Sequence, residues 1–280
     1  MGSFIEGSGM KYQPYRDEPF QRDCEDRYKT IKFLASRFTR PFSVLDVGAN
    51  YGWFGQQLVK DFEDCAYIGV DNKTIDPHPR IWHVNRHMAA AEFGALSKSE
   101  NFDIVLCLSV LHHFEDYERA FNAMKRLGQY TFFEIPGPNE DEAVGGAERH
   151  AAIAKIFEGG EAIAEHKSHL DDTLRPMYLL QSEPFITEQT LDVADRGSPG
   201  YTTYKIHSDF NRCLIEIDRT PVEAKKEIRN FIPGMNAHNF RLLGGKVDIP
   251  EIENHPDPKP WNYIIGDGVH AIDTLHVKAR

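Results

Sequence analysis

Apolar positions along this chain repeat in two rhythms. Phe20, Cys24, Tyr28, Ile31, Leu34, Ala35 and Phe38 recur at helical spacing, which predicts one amphipathic helix with a charged outer face. Before it, Lys11 to Tyr15 is polar and aromatic and holds Pro14, so it reads as irregular. Beyond it, short unbroken apolar runs alternate with helical ones. Ser43–Val47, Tyr67–Val70, Ile81–Val84, Phe102–Leu108 and Tyr130–Ile135 read as strands. Phe54–Phe62, Tyr117–Leu127 and Ala147–Phe157 read as helices. Strands apolar throughout belong to a parallel sheet covered on both faces, so the expected class is doubly wound α/β. Past about Ser182 the rhythm weakens. Arg196–Gly200 reads as a turn or linker, and the remainder of the chain as a smaller, irregular α+β region.

Composition narrows the functional classes. A net charge of −11 disfavours a broad phosphate-binding surface, and with it a nucleic-acid partner. Hydrophobic residues at 41% and charged residues at 27% suit an ordinary globular chain, and no apolar run reaches the ~20 residues that span a bilayer. Cys24, Cys65, Cys107 and Cys213 are scattered, without a C-x-x-C pair. Reduced thiols in a cytoplasmic protein are expected, rather than a disulfide frame or zinc site. His166 and His169 stand three apart without neighbouring carboxylate or thiol ligands, so no metal is expected.

The most informative segment runs from Phe42 to Phe54. A strand delivers Asp46, and Gly48, Asn50 and Gly52 then turn the backbone sharply into a helix beginning near Phe54. The order is an acid followed by D-x-G-x-x-x-G, which does not fit the G-x-G-x-x-G of dinucleotide sites. It resembles the first motif of class I S-adenosylmethionine-dependent methyltransferases, in which this loop holds the amino-acid end of the cofactor. Asn50 stands where many members have glycine, and asparagine tolerates left-handed backbone. Tyr67–Asp71 is a second apolar strand ending in an acid, followed by Asn72, about 20–25 residues on, where a carboxylate would accept both ribose hydroxyls. Taken alone, Asp71 would serve as a helix N-cap and the glycines as an ordinary turn. The resemblance also implies Asn85, ending the third strand, as a contact to ribose or base.

Asn101 to Phe114 matches that family's fourth strand and exit loop, which implies Ser109 beside the cofactor and His112 and His113 just past it. A histidine there could take a proton from a hydroxyl nucleophile, with His113 favoured over His112; the alternative is a loop anchor and a helix cap. Glu134, ending the fifth strand, could orient a histidine, bind a sugar hydroxyl or steady positive charge, or serve as a structural acceptor. Arg175 offers a fork for phosphate or carboxylate, with Tyr178 nearby; a surface ion pair is the competing role for Arg175.

Leu108–Phe114, Phe132–Ile135 and Arg175–Leu179 together resemble the methyltransferase module of bacterial O-antigen chain-terminating enzymes, over roughly residues 10–182. That resemblance implies a Rossmann-like domain over 41–182, and an N-terminal arm and helix over 1–40. Tyr12, Gln13, Tyr15 and Arg27 would then form a lid on the cofactor. It further implies a methyl acceptor at a polysaccharide end. Such enzymes carry a kinase-like domain next, and His255 to Asn262 with Asp273 after it resembles a kinase catalytic loop. Gly197–Gly200 and Glu223 or Glu227 would be its phosphate loop and helix glutamate. The strand Cys213–Asp218 lacks the expected lysine, so 183–280 reads as an accessory region, for dimerisation or substrate recognition, or as a shrunken relic.

The expected activity is therefore methyl transfer from S-adenosylmethionine to an oxygen of a sugar, a polysaccharide end or another small molecule. The rivals are an RNA methyltransferase, a bifunctional methyltransferase–phosphotransferase and a catalytically silent partner subunit.

Overall fold

The computed structural model describes residues 12–14, 21–73, 78–137, 140, 144–168, 173–182, 191–192, 205–206, 233–249 and 258–271. In chain order the elements are β1 (Tyr12–Pro14), β2 (Gln21–Asp23), α1 (Glu25–Ala35), β3 (Phe42–Val47), α2 (Trp53–Asp61), β4 (Cys65–Asp71) and β5 (Ile81–Asn85). Next come α3 (Ala90–Leu96), β6 (Phe102–Leu108), α4 (Tyr117–Leu127), β7 (Gly128–Glu134), α5 (Gly146–Ile156), β8 (Ala164–Lys167) and β9 (Leu174–Gln181). The last are β10 (Leu191–Asp192), β11 (Lys205–Ile206), β12 (Met235–Asn236), α6 (Ala237–Leu242), β13 (Tyr263–Ile265) and β14 (Val269–Ala271).

A seven-stranded sheet, ordered β5-β4-β3-β6-β7-β9-β8, organises the fold. Its first five strands are parallel, and β9 enters antiparallel between β7 and β8. The doubly wound, mostly parallel sheet is thus the expected one, with β6 and α4 at their predicted limits. From β3 the chain first builds outward through β4 and β5, then crosses back to β6 and β7. The crevice between the carboxyl ends of β3 and β6 is therefore the topological switch point, where such sheets bind ligands. Alternate residues of β3 serve opposite cores, Leu45 and Val47 on the α3–α4 side and Val44 on the α1–α2 side.

Three details depart from the sequence pattern. The N-terminal stretch is not wholly irregular: β1 pairs antiparallel with β2, so α1 begins at Glu25 instead of Phe20. Helix α3 was not predicted because its seven residues include Gly94 and show no sustained apolar stripe. Strands β8 and β9 form a hairpin-like pair at the sheet's far edge.

Residues 233–249 and 258–271 of the C-terminal region pack on the opposite edge. There β12, β13 and β14 form a three-stranded antiparallel sheet with α6 against it. Met235, Phe240, Tyr263 and Ile265 share one core with Val84 and Phe93. Trp82 on β5 donates its indole N–H to the carbonyl of Gly266 (2.6 Å) and meets the Phe240 ring edge-on at 5.9 Å. Of the kinase-like features, the phosphate-loop candidate Gly197–Gly200, the strand Cys213–Asp218, Glu223, Glu227, and His255, Asp257 and Asp273 of the catalytic-loop resemblance lie outside the described residues, as do Tyr15 and His169.

Candidate active site

The loop after β3 is built from three left-handed residues in alternation: Gly48 at φ 75°, Asn50 at φ 50° and Gly52 at φ 74°. A side chain at Gly48 is impossible without movement, since its Cβ would lie 2.2 Å from Cγ2 of Val110, in the loop after β6. The two loops at the switch point are therefore in direct contact. Gly48 and Ala49 donate their N–H groups to the Val70 carbonyl, and Gly52 donates to that of Ala49. Asp71, ending β4, accepts the Asn50 N–H on one carboxylate oxygen (2.9 Å) and the Lys73 N–H on the other (2.9 Å). Two lone-pair positions remain on that carboxylate for a ligand.

A cavity of about 550 Å³ opens at this point, within the usual range for a cofactor or small-molecule site. Gly48, Asp71, Met88, Val110, His113 and Phe114 contribute to its wall, together with Arg86, His87 and Arg119. Of the residues selected from sequence, Gly48, Asp71 and His113 meet there. Asp46 lies buried behind and accepts a hydrogen bond from the Tyr67 hydroxyl, and burial pushes that phenol well above its ordinary value. Phe54 is a core residue, edge-on to Trp53 at 5.3 Å. Asn85 is exposed at the end of β5, and the Asn72 amide bonds the His87 ring (2.8 Å).

His113 is exposed on the 3-10 turn Leu111–His113, while His112 is buried beneath it with the two rings 4.3 Å apart. Ser109, at φ 57°, precedes this turn and donates its hydroxyl to Glu134. Glu134 is fully buried and also pairs with Arg27 from α1, with His166 Nδ1 at 3.3 Å. The Arg27 side chain is thereby engaged inside the protein. Arg175 is engaged as well: buried, it donates to both carboxylate oxygens of Glu140, which also accepts from Ser168 (2.7 Å). Burial works to raise the Glu140 carboxyl, but the hydrogen bonds from Arg175 and Ser168 prevail and hold it below the usual carboxylate value. Tyr178 stacks on Phe157 at 4.6 Å. Met88 escaped the sequence reading because an isolated apolar residue in a loop carries no motif; Val110 and Phe114 lay within the Leu108–Phe114 run but were not assigned to the wall.

A family model described as a methyltransferase domain matches residues 17–153. This part of the chain, just under half of it, is similar to methyltransferase domains. The match marks it as an enzyme domain of the methyltransferase type. Beyond the family, 102 residues are 30% identical to an uncharacterized protein of Methanocaldococcus jannaschii, a stretch that is 36% of this chain and 43% of that one. The chain therefore spans less than half the length of this curated relative. A solved structure of the bifunctional kinase-methyltransferase WbdD aligns with 96% of this chain and 80% of its own, at 17% identity and a TM-score of 0.48. The N-methyltransferase NodS from Bradyrhizobium japonicum, in complex with S-adenosyl-L-homocysteine, aligns with 60% of this chain and 90% of its own, at 19% identity and a TM-score of 0.38. Among the described residues of the methyltransferase domain and its C-terminal neighbour, no helix is long and apolar enough to cross a membrane, and no group of three or more His, Cys, Asp and Glu residues could hold a metal ion.

Proposed function

We propose that the chain moves the methyl group of S-adenosylmethionine onto an oxygen atom of a sugar, a polysaccharide end or another small molecule. The observation that carries this reading is the cavity at the switch point, with Asp71 and Gly48 on its wall together with the exposed His113. Its chemistry fits the cofactor. Asp71 offers a carboxylate with acceptor capacity left over, Met88 and Phe93 give the wall an apolar side, and glycine at 48 lets Val110 pack against the loop backbone. Asp71 would hold the ribose hydroxyls, and the Gly48–Gly52 loop the amino-acid end. The bound cofactor supplies an electrophilic methyl on a positively charged sulfur, which leaves with the electron pair of the broken carbon–sulfur bond.

The protein's part is positioning and proton transfer. Holding an acceptor oxygen in line with the methyl supplies much of the rate. A neutral hydroxyl is a poor nucleophile, and the His113 imidazole would take its proton as the new carbon–oxygen bond forms. The buried Glu134, with Arg27 and Ser109 around it, steadies the backbone at Ser109 just before that turn. The accessory region beyond residue 182 is proposed as a recognition or dimerisation element, since its elements from β12 to β14 pack on β5 next to the cavity-lining loop.

Calorimetric titration of S-adenosylmethionine and S-adenosylhomocysteine into wild type and Asp71→Ala tests the reading. Binding to wild type that is lost in Asp71→Ala is expected, and would justify screening glycan and small-molecule acceptors with isotopically labelled methyl. No binding to wild type would overturn it.

A further inference from the structure

Helix α5 begins directly against the turn that carries His113. Two left-handed glycines lead into it, Gly145 at φ 103° and Gly146 at φ 71°. A Cβ on Gly145 would stand 2.7 Å from Cδ of the flexible Arg149 side chain and at ordinary contact, 3.4 Å, from the His112 carbonyl oxygen; it is the φ of 103° that favours glycine there. From the first turn of α5, Arg149 reaches back and donates Nη1 to the carbonyls of His112 (3.2 Å) and Phe114 (3.4 Å). One residue on, the His150 ring stands perpendicular to that of His112, centroids 5.6 Å apart, with its Nε2 3.0 Å from the Val144 carbonyl. His150 is fully buried.

We propose that Arg149 and His150 are the positioning residues of His113, fixing the 3-10 turn from its protein side. The catalytic meaning of this latch rests on the base role proposed for His113; its existence does not. The turn is closed by the backbone hydrogen bonds from His113 N–H to Val110 (2.9 Å) and from Phe114 N–H to Leu111 (3.2 Å), and such short 3-10 segments have poor hydrogen-bond geometry. A cation shared between two carbonyls that straddle residue 113 restrains the backbone on both sides of it, and charge-assisted bonds are the stronger kind. His150 restrains the other degree of freedom. It closes the space behind His112, against which the His113 ring lies. The exposed ring at the cavity is thus held through a half-buried and a buried residue contributed by a helix more than 30 residues further along the chain.

The test uses the full chain as wild type, Arg149→Met, Arg149→Lys and His150→Leu. Three quantities are read: the imidazole Cε1–H resonance of His113, amide hydrogen exchange of 111–114 and calorimetric affinity for S-adenosylhomocysteine. In Arg149→Met the His113 resonance should shift or broaden, and local exchange should quicken by about tenfold, while the thermal midpoint and exchange in β3 and β4 stay near wild type. Arg149→Lys, which keeps one cationic donor, should restore much of both signals. His150→Leu should move the resonance with a smaller effect on exchange, and it stands in for Arg149→Met if that variant does not fold. Unchanged His113 signals in the folded variants would overturn the proposal, as would quickened exchange spread evenly over the whole chain. Failure of wild type to bind S-adenosylhomocysteine would remove the cofactor reading instead, and the resonance and exchange comparison would still decide the latch.

Discussion

Ser109 holds a left-handed backbone conformation, φ 57°, while both its N–H and its hydroxyl are donated to Glu134, the former to the main-chain carbonyl at 2.9 Å and the latter to the carboxylate. A serine in that region costs of order 1–3 kcal/mol, and it persists where the surroundings over-determine it. Here the surroundings are a carboxylate itself fixed by Arg27. Ser109→Ala keeps the strain and discards the hydroxyl's bond, so a loss of about 1–3 kcal/mol is expected. Ser109→Gly relieves the strain and should be the milder change. Urea unfolding of the two variants checks the order, and a glycine variant less stable than the alanine one would contradict it.

Gly48→Ala should fail for two separable reasons, the clash with Val110 and the positive φ. Combining it with Val110→Ala removes the first and leaves the second, worth roughly 1–3 kcal/mol. A double-mutant cycle on stability should show the Val110→Ala change rescuing part of the Gly48→Ala loss. Strict additivity would mean the two loops are not in contact.

Arg175 and Glu140 set a pH dependence whose sign is fixed by the ion pair. The Glu140 carboxyl is held below its unfolded value, so its stabilisation is present at neutral pH. That contribution fades as the pH falls through the unfolded value toward the folded one. Arg175→Met leaves the buried carboxylate with burial dominant, which raises its value and turns the local slope around. Urea midpoints from about pH 7 down to about pH 4 should fall for wild type more steeply than for Arg175→Met, and parallel curves would remove the argument. The variant should also be less stable at neutral pH, since a buried charge has lost its partner.

His113→Ala should cut the turnover of a hydroxyl acceptor by about 10²–10⁴-fold, with little change in S-adenosylhomocysteine affinity. A pH–rate profile of wild type should show a limb, rising with pH, that the variant lacks. An unchanged rate would sink the base role and point to an acceptor, phosphate or carboxylate, that needs no proton removed.

Phe240→Ala should loosen the described C-terminal elements from β5. Truncating a fully buried phenylalanine costs about 3–5 kcal/mol, and exchange in Tyr263–Ile265 should quicken more than in β6. Equal protection in the two would show that the C-terminal sheet is held elsewhere.

What the sequence made legible is what local physics determines. The parallel strands announce themselves because both faces are buried, as in Phe102–Leu108, where every residue is buried. The glycines and Asp71 are legible because chain reversal and the capture of loop N–H groups restrict residue types at fixed spacing. Partnerships across distance were not. Nothing local tells Arg27 that Glu134 awaits it 107 residues away, or Arg175 that Glu140 does. An arginine's sequence neighbourhood does not distinguish a ligand fork from a buried ion pair. Helix α3 was hidden for the opposite reason: its local signal is weak, and packing against α4 supplies the rest.

The bond from Trp82 to Gly266 joins residues 184 apart. During synthesis the parallel strands can assemble while the covering for β5 has yet to leave the ribosome. For that interval, tens of seconds at slower elongation rates of about 5–20 residues per second, the sheet carries a bare edge with Trp82 and its apolar neighbours open to solvent. The nascent chain, rather than the finished protein, is therefore the form most in need of a chaperone.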